Sequence, residues 1–177
     1  MQLSPSRPNL RLVASNGEII APPAGATLAE RLLDFAGVRP GLRVIEFTFG
    51  PGRLGWRFLS SGCEVVSVDL SELPANSIPE EWLGAFDLAV TACALHQVKN
   101  PQRLLADVAS CVRPGGICAG LEPAHTDFDS PDLRDCATSA GLALFHASEQ
   151  TPNSALFWRA QVPTLQFVPA PTLSLAA

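Results

Sequence analysis

The chain has little positive charge, and the basic residues that it has form no cluster. Eleven of its twelve basic residues are arginines, Lys99 is the single lysine, and the net charge of the 177 residues is −5. Proteins that bind nucleic acid neutralise phosphates with many cations, which appear in the sequence as basic stripes or clusters. The composition therefore argues against nucleic acid as the main partner.

Cysteine pairs and long apolar runs are also missing. The five cysteines include no CxxC pair and their number is odd: Cys63, Cys93, Cys111, Cys118 and Cys136. This pattern is typical of reduced thiols rather than of a disulfide framework or a zinc site. The sequence contains neither a recognisable signal peptide nor an apolar run of membrane-spanning length. We therefore expect a soluble cytoplasmic protein with no membrane partner.

Short apolar runs alternate with helical periods along most of the chain. Nearly half of the residues (47%) are apolar, which suits a single domain with a substantial core. Six strands are predicted, in the segments LRVIEF, CEVVSVDL, FDLAVTACAL, GGICAGLEP, LALFHASE and SALFWRAQV. Strands that alternate with helices predict an α/β fold with a mostly parallel sheet covered on both faces. The last two strands are joined by a turn so short that they must be antiparallel.

The two ends of the chain differ from this central region. In residues 9–21, Asn16-Gly17 lies between two apolar stretches, which predicts a β-hairpin within an N-terminal extension of residues 1–26. Residues 163–177 contain prolines and no charge, and are predicted to be a C-terminal tail. The expected domain is therefore residues 27–162.

A glycine-rich turn follows the first predicted strand, in the stretch "RVIEFTFGPGRLGWRF" at residues 43–58. Gly50 and Gly52 let backbone amides approach a ligand, and the start of the next helix offers positive potential. Asp69 ends the second predicted strand, where a carboxylate can accept two ribose hydroxyls. Together these features favour a nucleotide-like ligand over a plain strand-to-helix turn.

Two registers of this turn compete. Residues 50–55 satisfy G-x-G-x-x-G, the dinucleotide fingerprint, but four residues separate the core of the strand from Gly50, and only thirteen lie between Gly55 and Asp69. The stretch from Arg43 to Ser71 instead resembles, without a gap, the first motif of class I S-adenosylmethionine-dependent methyltransferases, acid-x-Gly-x-Gly-x-Gly followed by a helix, a strand and an aspartate. The segment "FDLAVTACALHQVKNPQRLLADVASCVRPGGICAGLEP" is similar to small-molecule members of that family.

This resemblance implies a Rossmann-like class I methyltransferase fold that binds S-adenosylmethionine and releases S-adenosylhomocysteine. By position, Asp69 would bind the ribose hydroxyls, Leu70 would lie beside the adenine, and Ala92 and Cys93 would line the sulfonium. The residues that would face the methionine part of the cofactor are Glu46, Phe47, Thr48, Gly50 and Gly52.

The sequence departs from the family pattern in two places. Thr48 stands where the family has its first glycine, so we expect the turn there to accept a side chain. Only sixteen residues separate Asp69 from Phe86, an interval in which the family fits a helix, a third strand and an acid that contacts the adenine. We therefore expect the third strand to be missing or vestigial, a short helix at most near "PEEWLG", and the family strand order 2-1-4-5-7-6.

Three residues are candidates for catalysis because they lie in loops that follow strands: His96, Glu122 and His125. His96 also suits a structural role, and the segment of residues 121–133 also suits a solvated loop whose polar residues cap the next helix. His125, Asp127 and Asp129 alternate like metal ligands, but one histidine and two carboxylates are weak evidence, and no metal is predicted.

The predicted function is methyl transfer from S-adenosylmethionine to a small-molecule substrate. Two alternatives remain open at this stage, because a fold does not determine a function. One is a non-catalytic protein, a ligand sensor or partner subunit, whose cofactor site has degenerated; the other is a nicotinamide-dependent oxidoreductase. The oligomeric state is left open, a homodimer included.

Overall fold

The computed structural model describes residues 27–50, 52, 54–73, 78–123, 130–150 and 155–164. The predicted hairpin at residues 9–21, His125 and most of the C-terminal tail lie outside these ranges, so they stay predictions. The helices are α1 (Thr27–Ala36), α2 (Gly55–Ser60), α3 (Pro101–Cys111) and α4 (Ser130–Ser139). The strands are β1 (Arg43–Thr48), β2 (Glu64–Asp69), β3 (Phe86–Ala92), β4 (Val112–Pro123), β5 (Ala143–Gln150) and β6 (Ala155–Gln161).

The six strands form one sheet in the order β2-β1-β3-β4-β6-β5. β1 to β4 pair in parallel, whereas β6 is antiparallel to both of its neighbours. In family numbering this order is 2-1-4-5-7-6, so the predicted order and the antiparallel last strand are confirmed.

The interval between β2 and β3 holds little regular structure. Among its described residues, 70–73 and 78–85, no strand occurs, and the one regular element is a 3₁₀ turn at Glu80–Trp82. This agrees with the prediction that the third strand is missing and that only a short helix forms near "PEEWLG". Sixteen residues are too few for a helix, a strand and their connecting turns, since a strand alone takes about five residues.

Both faces of the sheet are covered by helices, as the near-continuous apolar strands require. One face packs against α1 and α2, with Leu32 and Phe58 completely buried, and the other packs against α3 and α4, with Leu105 and Leu133 completely buried. α3 begins where the sequence predicts, because Pro101 occupies its first turn and the Asn100 side chain caps the Arg103 N–H at 2.9 Å. No helix in the described ranges is long and apolar enough to cross a membrane.

Candidate active site

The carboxyl ends of the parallel strands meet at one edge of the sheet, and the predicted site residues that are described lie along it. In the strand registers Thr48 pairs with Asp69, Phe47 pairs with Thr91, and Ala92 pairs with Leu121. The turn after β1, the end of β2 and the loops after β3 and β4 are therefore neighbours. Ligands of open α/β sheets bind at this edge.

Asp69 connects the end of β2 to the glycine turn. Its Oδ1 accepts hydrogen bonds from the Gly50 N–H at 3.0 Å, the Ser71 N–H at 2.9 Å and the Ser71 hydroxyl at 2.6 Å. The bond from the Ser71 hydroxyl, together with the N–H groups of Ser71 and Gly50, lowers the pKa of Asp69 against the opposing effect of its slight burial. Asp69 is thus a partly exposed carboxylate that is held in place on one oxygen.

Glu46, the acid that precedes the glycine turn, lies inside the protein. The residue is completely buried, and its oxygens accept hydrogen bonds from the Leu54 N–H at 3.1 Å and the Ser67 hydroxyl at 2.9 Å. Burial raises the pKa of Glu46, although the hydrogen bonds from Ser67, Leu54 and Gly55 favour its charged form. Glu46 therefore fixes the start of α2 under the turn, rather than facing a ligand with a free oxygen.

Gly52 packs directly on this buried carboxylate. A Cβ atom at Gly52 would lie 2.8 Å from Glu46 Oε2 and 2.8 Å from Ser67 Oγ, closer than real Cβ atoms approach their neighbours. Gly50 differs, because its φ is +78° and a Cβ atom there would meet nothing within 4 Å. The two glycines are thus required for different reasons: Gly52 for close packing, and Gly50 for a left-handed backbone beside open space.

The backbone at position 48 does not require a glycine. Thr48 is the last residue of β1, its side chain is buried, and its carbonyl accepts the Leu70 N–H at 2.8 Å. The side chain is therefore accommodated within a regular strand, and the turn begins only after it. The neighbouring Phe47 is completely buried in the core, so its side chain offers no surface to a ligand.

Replacing Thr48 with glycine is expected to lower the free energy of unfolding by about 1 to 2 kcal/mol, because the strand loses buried surface and gains flexibility. The affinity for S-adenosylhomocysteine should stay within about twofold, since the Thr48 side chain is buried within the strand and the Asp69 carboxylate is unchanged. Thermal melting and calorimetry measure the two effects. Thr48→Val, which keeps the size of the side chain, is the control. A large gain in affinity for Thr48→Gly alone would show that the threonine obstructs the ligand.

Glu122 and His96 meet at the carboxyl ends of β4 and β3. Glu122 is completely buried, and its Oε1 accepts the N–H groups of Ala94 and Leu95, each at 3.1 Å. Its Oε2 lies 2.6 Å from His96 Nδ1 and 3.4 Å from the His96 backbone nitrogen, which donates to it. The structure thus brings together two of the three residues that the sequence suggests for catalysis.

The loop after β3 has an unusual backbone at Cys93. Its φ is +53°, the left-handed region that a non-glycine residue rarely adopts, and Ala94 returns to φ −109° and ψ −36°. Such an alternation turns successive N–H groups toward one point, which suits an anion. The Glu122 carboxylate occupies that point, and the Gln97 side chain donates to the Cys93 carbonyl.

Sequence reasoning missed the partners that hold these acids. Ser67 lies opposite Glu46 in the parallel register, and Ser71 follows Asp69 by two residues. Two features of the sequence could have indicated these partners. Ser67 lies two residues before Asp69 and so on the same face of β2. Asp69 and Ser71 have the Asp-x-Ser spacing that is typical of a local turn. In the described ranges no group of three or more histidine, cysteine or acidic residues could hold a metal ion.

The fold and this edge define an α/β protein with a Rossmann-like sheet and a ligand site at the switch point beside β1. A family model described as a methyltransferase domain matches residues 23–176. The chain therefore belongs to the methyltransferase family, and the resemblance to class I S-adenosylmethionine-dependent methyltransferases is confirmed. No curated protein matches the chain.

Solved structures with the same fold include proteins of different activities. An S-adenosylmethionine-dependent methyltransferase from Aquifex aeolicus aligns with a TM-score of 0.65 and 15% identity over 78% of this chain and 94% of its own. The 1,6-didemethyltoxoflavin-N1-methyltransferase of Burkholderia thailandensis, solved with its substrate and S-adenosylhomocysteine, aligns at 0.58 with 20% identity over 76% of each chain. The [4+2]-cyclase SpnF aligns at 0.59 with 13% identity over 77% of this chain and 80% of its own. At these identities the likeness establishes the fold alone.

Proposed function

We propose that this protein transfers a methyl group from S-adenosylmethionine to a small-molecule acceptor. The observation that carries the proposal is the Asp69 carboxylate at the end of β2, bonded to the Gly50 N–H of the turn after β1, in a chain that belongs to the methyltransferase family. When bound, the cofactor supplies a methyl group from a sulfonium centre.

The residues present fit this cofactor. Within the described residues, Asp69 Oδ2 accepts no hydrogen bond, so a ribose hydroxyl can bind there, and the space above Gly50 is open. Leu70 is half-buried beside Asp69 and can border the adenine, while the half-buried Ala92 and Cys93 can border the sulfonium. Glu46 supports the turn through its close contact with Gly52 and its bond from the Leu54 N–H, while Phe47 and Thr48 are buried in β1.

The small-molecule acceptor is supported by the low positive charge and by the bound substrate of one neighbour. With a net charge of −5 and one lysine, the chain offers few cations for a polyanionic acceptor. The methyltransferase from Burkholderia thailandensis, which shares the fold, was solved with bound 1,6-didemethyltoxoflavin. Incubation with radiolabelled S-adenosylmethionine and a whole-cell extract that contains metabolites, protein and RNA should label low-molecular-weight products. Label found only in protein or RNA would contradict this acceptor class.

Asp69→Ala is expected to weaken the binding of S-adenosylhomocysteine about thirtyfold, or about 2 kcal/mol, the usual loss for hydrogen bonds to a charged group. Isothermal calorimetry measures this change. Ser71→Ala is the matched control, because it removes one donor to Asp69 Oδ1 but leaves the carboxylate, so its affinity should stay within about threefold of the wild type. Equal affinity for Asp69→Ala and the wild type would contradict a ribose-binding role.

A second candidate is a non-catalytic protein, a ligand sensor or partner subunit, that keeps the fold but has a degenerate cofactor site. It is favoured by the shortened interval between β2 and β3, which lacks a strand in its described residues and with it the usual position of the adenine-contacting acid. Calorimetry with S-adenosylmethionine, S-adenosylhomocysteine and NADH separates the candidates. Heat with the first two supports the methyltransferase, and heat with NADH alone an oxidoreductase. An absence of heat with all three supports the second candidate.

A further inference from the structure

The Glu122–His96 pair has the geometry of a positioned base. The Glu122 side chain is fully buried whereas the His96 side chain is 21% exposed, so of the two only His96 can contact a substrate. Glu122 accepts the backbone N–H groups of Ala94, Leu95 and His96, and an ionised carboxylate in this place would only accept, so that His96 Nδ1 would be the donor in the 2.6 Å contact with Oε2. In a neutral imidazole this leaves Nε2 without a proton and able to accept one.

The position of the imidazole is fixed by its surroundings. The carboxylate that holds Nδ1 is itself held by the N–H groups of Ala94 and Leu95, and the Gln97 side chain closes the loop onto the Cys93 carbonyl. The left-handed Cys93 is the residue that turns this loop at the end of β3. Non-glycine residues in such a conformation cluster at active sites, where surrounding contacts maintain them.

We propose that His96 Nε2 accepts the proton of the methyl acceptor and that Glu122 is its positioning residue. This inference rests on the proposed function and specifies its substrate class: an acceptor that reacts through a hydroxyl or an N–H group. The acceptor atom forms a bond to the methyl carbon, the carbon–sulfur bond breaks with its electron pair left on sulfur, and the proton of the acceptor moves to Nε2. The positive charge of the sulfonium thus ends on the imidazolium, and atoms and charge balance.

The test uses imidazole nitrogen NMR on the full-length protein labelled with ¹⁵N. The chain has three histidines, so the His96 resonances are those lost in His96→Gln, and His146→Gln identifies a control ring. In the wild type we expect a protonated Nδ1 and an unprotonated Nε2. In Glu122→Gln the amide oxygen should face the N–H groups of Ala94 and Leu95, and its NH₂ group should donate to Nδ1. The tautomer of His96 should therefore reverse.

A second measurement compares two bound states. S-adenosylmethionine and S-adenosylhomocysteine differ by one methyl group and one positive charge, so the His96 ring resonances should differ between the two complexes while those of His146 do not. The rate at which a metabolite extract is labelled should also fall about a hundredfold in His96→Gln, because a general base usually contributes at least that factor. The rate should stay at the wild-type value in His146→Gln.

Four results would each overturn the inference. They are a wild-type Nε2 that carries the proton, a tautomer that Glu122→Gln leaves unchanged, His96 resonances that are the same in the two complexes, and a labelling rate that His96→Gln leaves unchanged. Should Glu122→Gln fail to fold, the wild-type tautomer and the comparison of the two complexes still decide. Calorimetry separates this inference from the proposed function. If neither cofactor form binds, the proposed function is wrong, and if both bind while His96 behaves otherwise than stated, only the inference is wrong.

Discussion

Replacing Gly52 with valine is expected to lower the free energy of unfolding by about 3 kcal/mol and to abolish cofactor binding. The first atom of the new side chain would lie 2.8 Å from both Glu46 Oε2 and Ser67 Oγ. These two groups are hydrogen-bonded to each other, and Glu46 also holds the Leu54 N–H, so the clash would separate a buried carboxylate from its donors. Loss of those donors, rather than occupation of the ligand space, causes the damage.

The measurements are thermal melting and calorimetry with S-adenosylhomocysteine. A loss of this size should lower the Tm by about 10 °C in a domain of this length. Gly50→Ala is the matched control in the same turn: a Cβ atom there meets nothing within 4 Å, so only the strain of its left-handed φ remains, about 1 kcal/mol. If Gly52→Val melts no lower than Gly50→Ala, the close packing on Glu46 does not hold the turn.

The positions of the strands could be predicted because they depend on local signals, whereas their order in the sheet followed from the resemblance to the methyltransferase family. Each strand is a short apolar run bounded by glycine, proline or a polar residue, and a count of the residues between Asp69 and Phe86 was enough to exclude a full third strand. The antiparallel direction of β6 followed from the length of one turn. These inferences need only neighbouring residues, and the structure agrees with them.

The roles of the acids could not be predicted in this way. Glu46 and Asp69 both lie near the carboxyl ends of adjacent strands, yet Glu46 is completely buried and Asp69 is partly exposed. The difference arises from packing: α2 covers Glu46, whereas Asp69 reaches past the end of β2 to the turn. Similarly, His96 and Glu122 are 26 positions apart in the sequence, and only the parallel pairing of β3 with β4 brings them together.

Gly120 is the second glycine whose replacement should have a large effect. It lies between Thr91 on β3 and Trp158 on β6, which are its direct partners in the two strand registers. A Cβ atom at Gly120 would lie 2.5 Å from Trp158 Nε1 and closer still to Thr91 Oγ1. Both of these polar atoms are buried, and neither has a hydrogen-bond partner in the described part of the chain. The indole therefore occupies the space that a side chain at residue 120 would need.

Gly120→Ala is expected to lower the free energy of unfolding by about 3 kcal/mol, because the centre of the sheet cannot move aside as a loop can. The same change in a Trp158→Phe background should cost at least about 1 kcal/mol less, since the smaller ring removes Nε1 and Cε2 from the point of contact. Denaturant unfolding of the four proteins in this cycle measures the coupling. Additive effects would show that the indole is not what excludes a side chain at residue 120.

The same substitution also tests how the core supports the site. Gly120 lies two residues before Glu122 on the same face of β4, and Thr91 lies two residues before Cys93. A displacement of Thr91 or Trp158 would therefore move the strand ends that join Glu122 to His96. We expect Gly120→Ala to disturb the His96 imidazole resonances even under conditions where the variant is fully folded, and Trp158→Phe to restore them in part. Unchanged His96 resonances in folded Gly120→Ala would show that the strand ends are held independently of this packing.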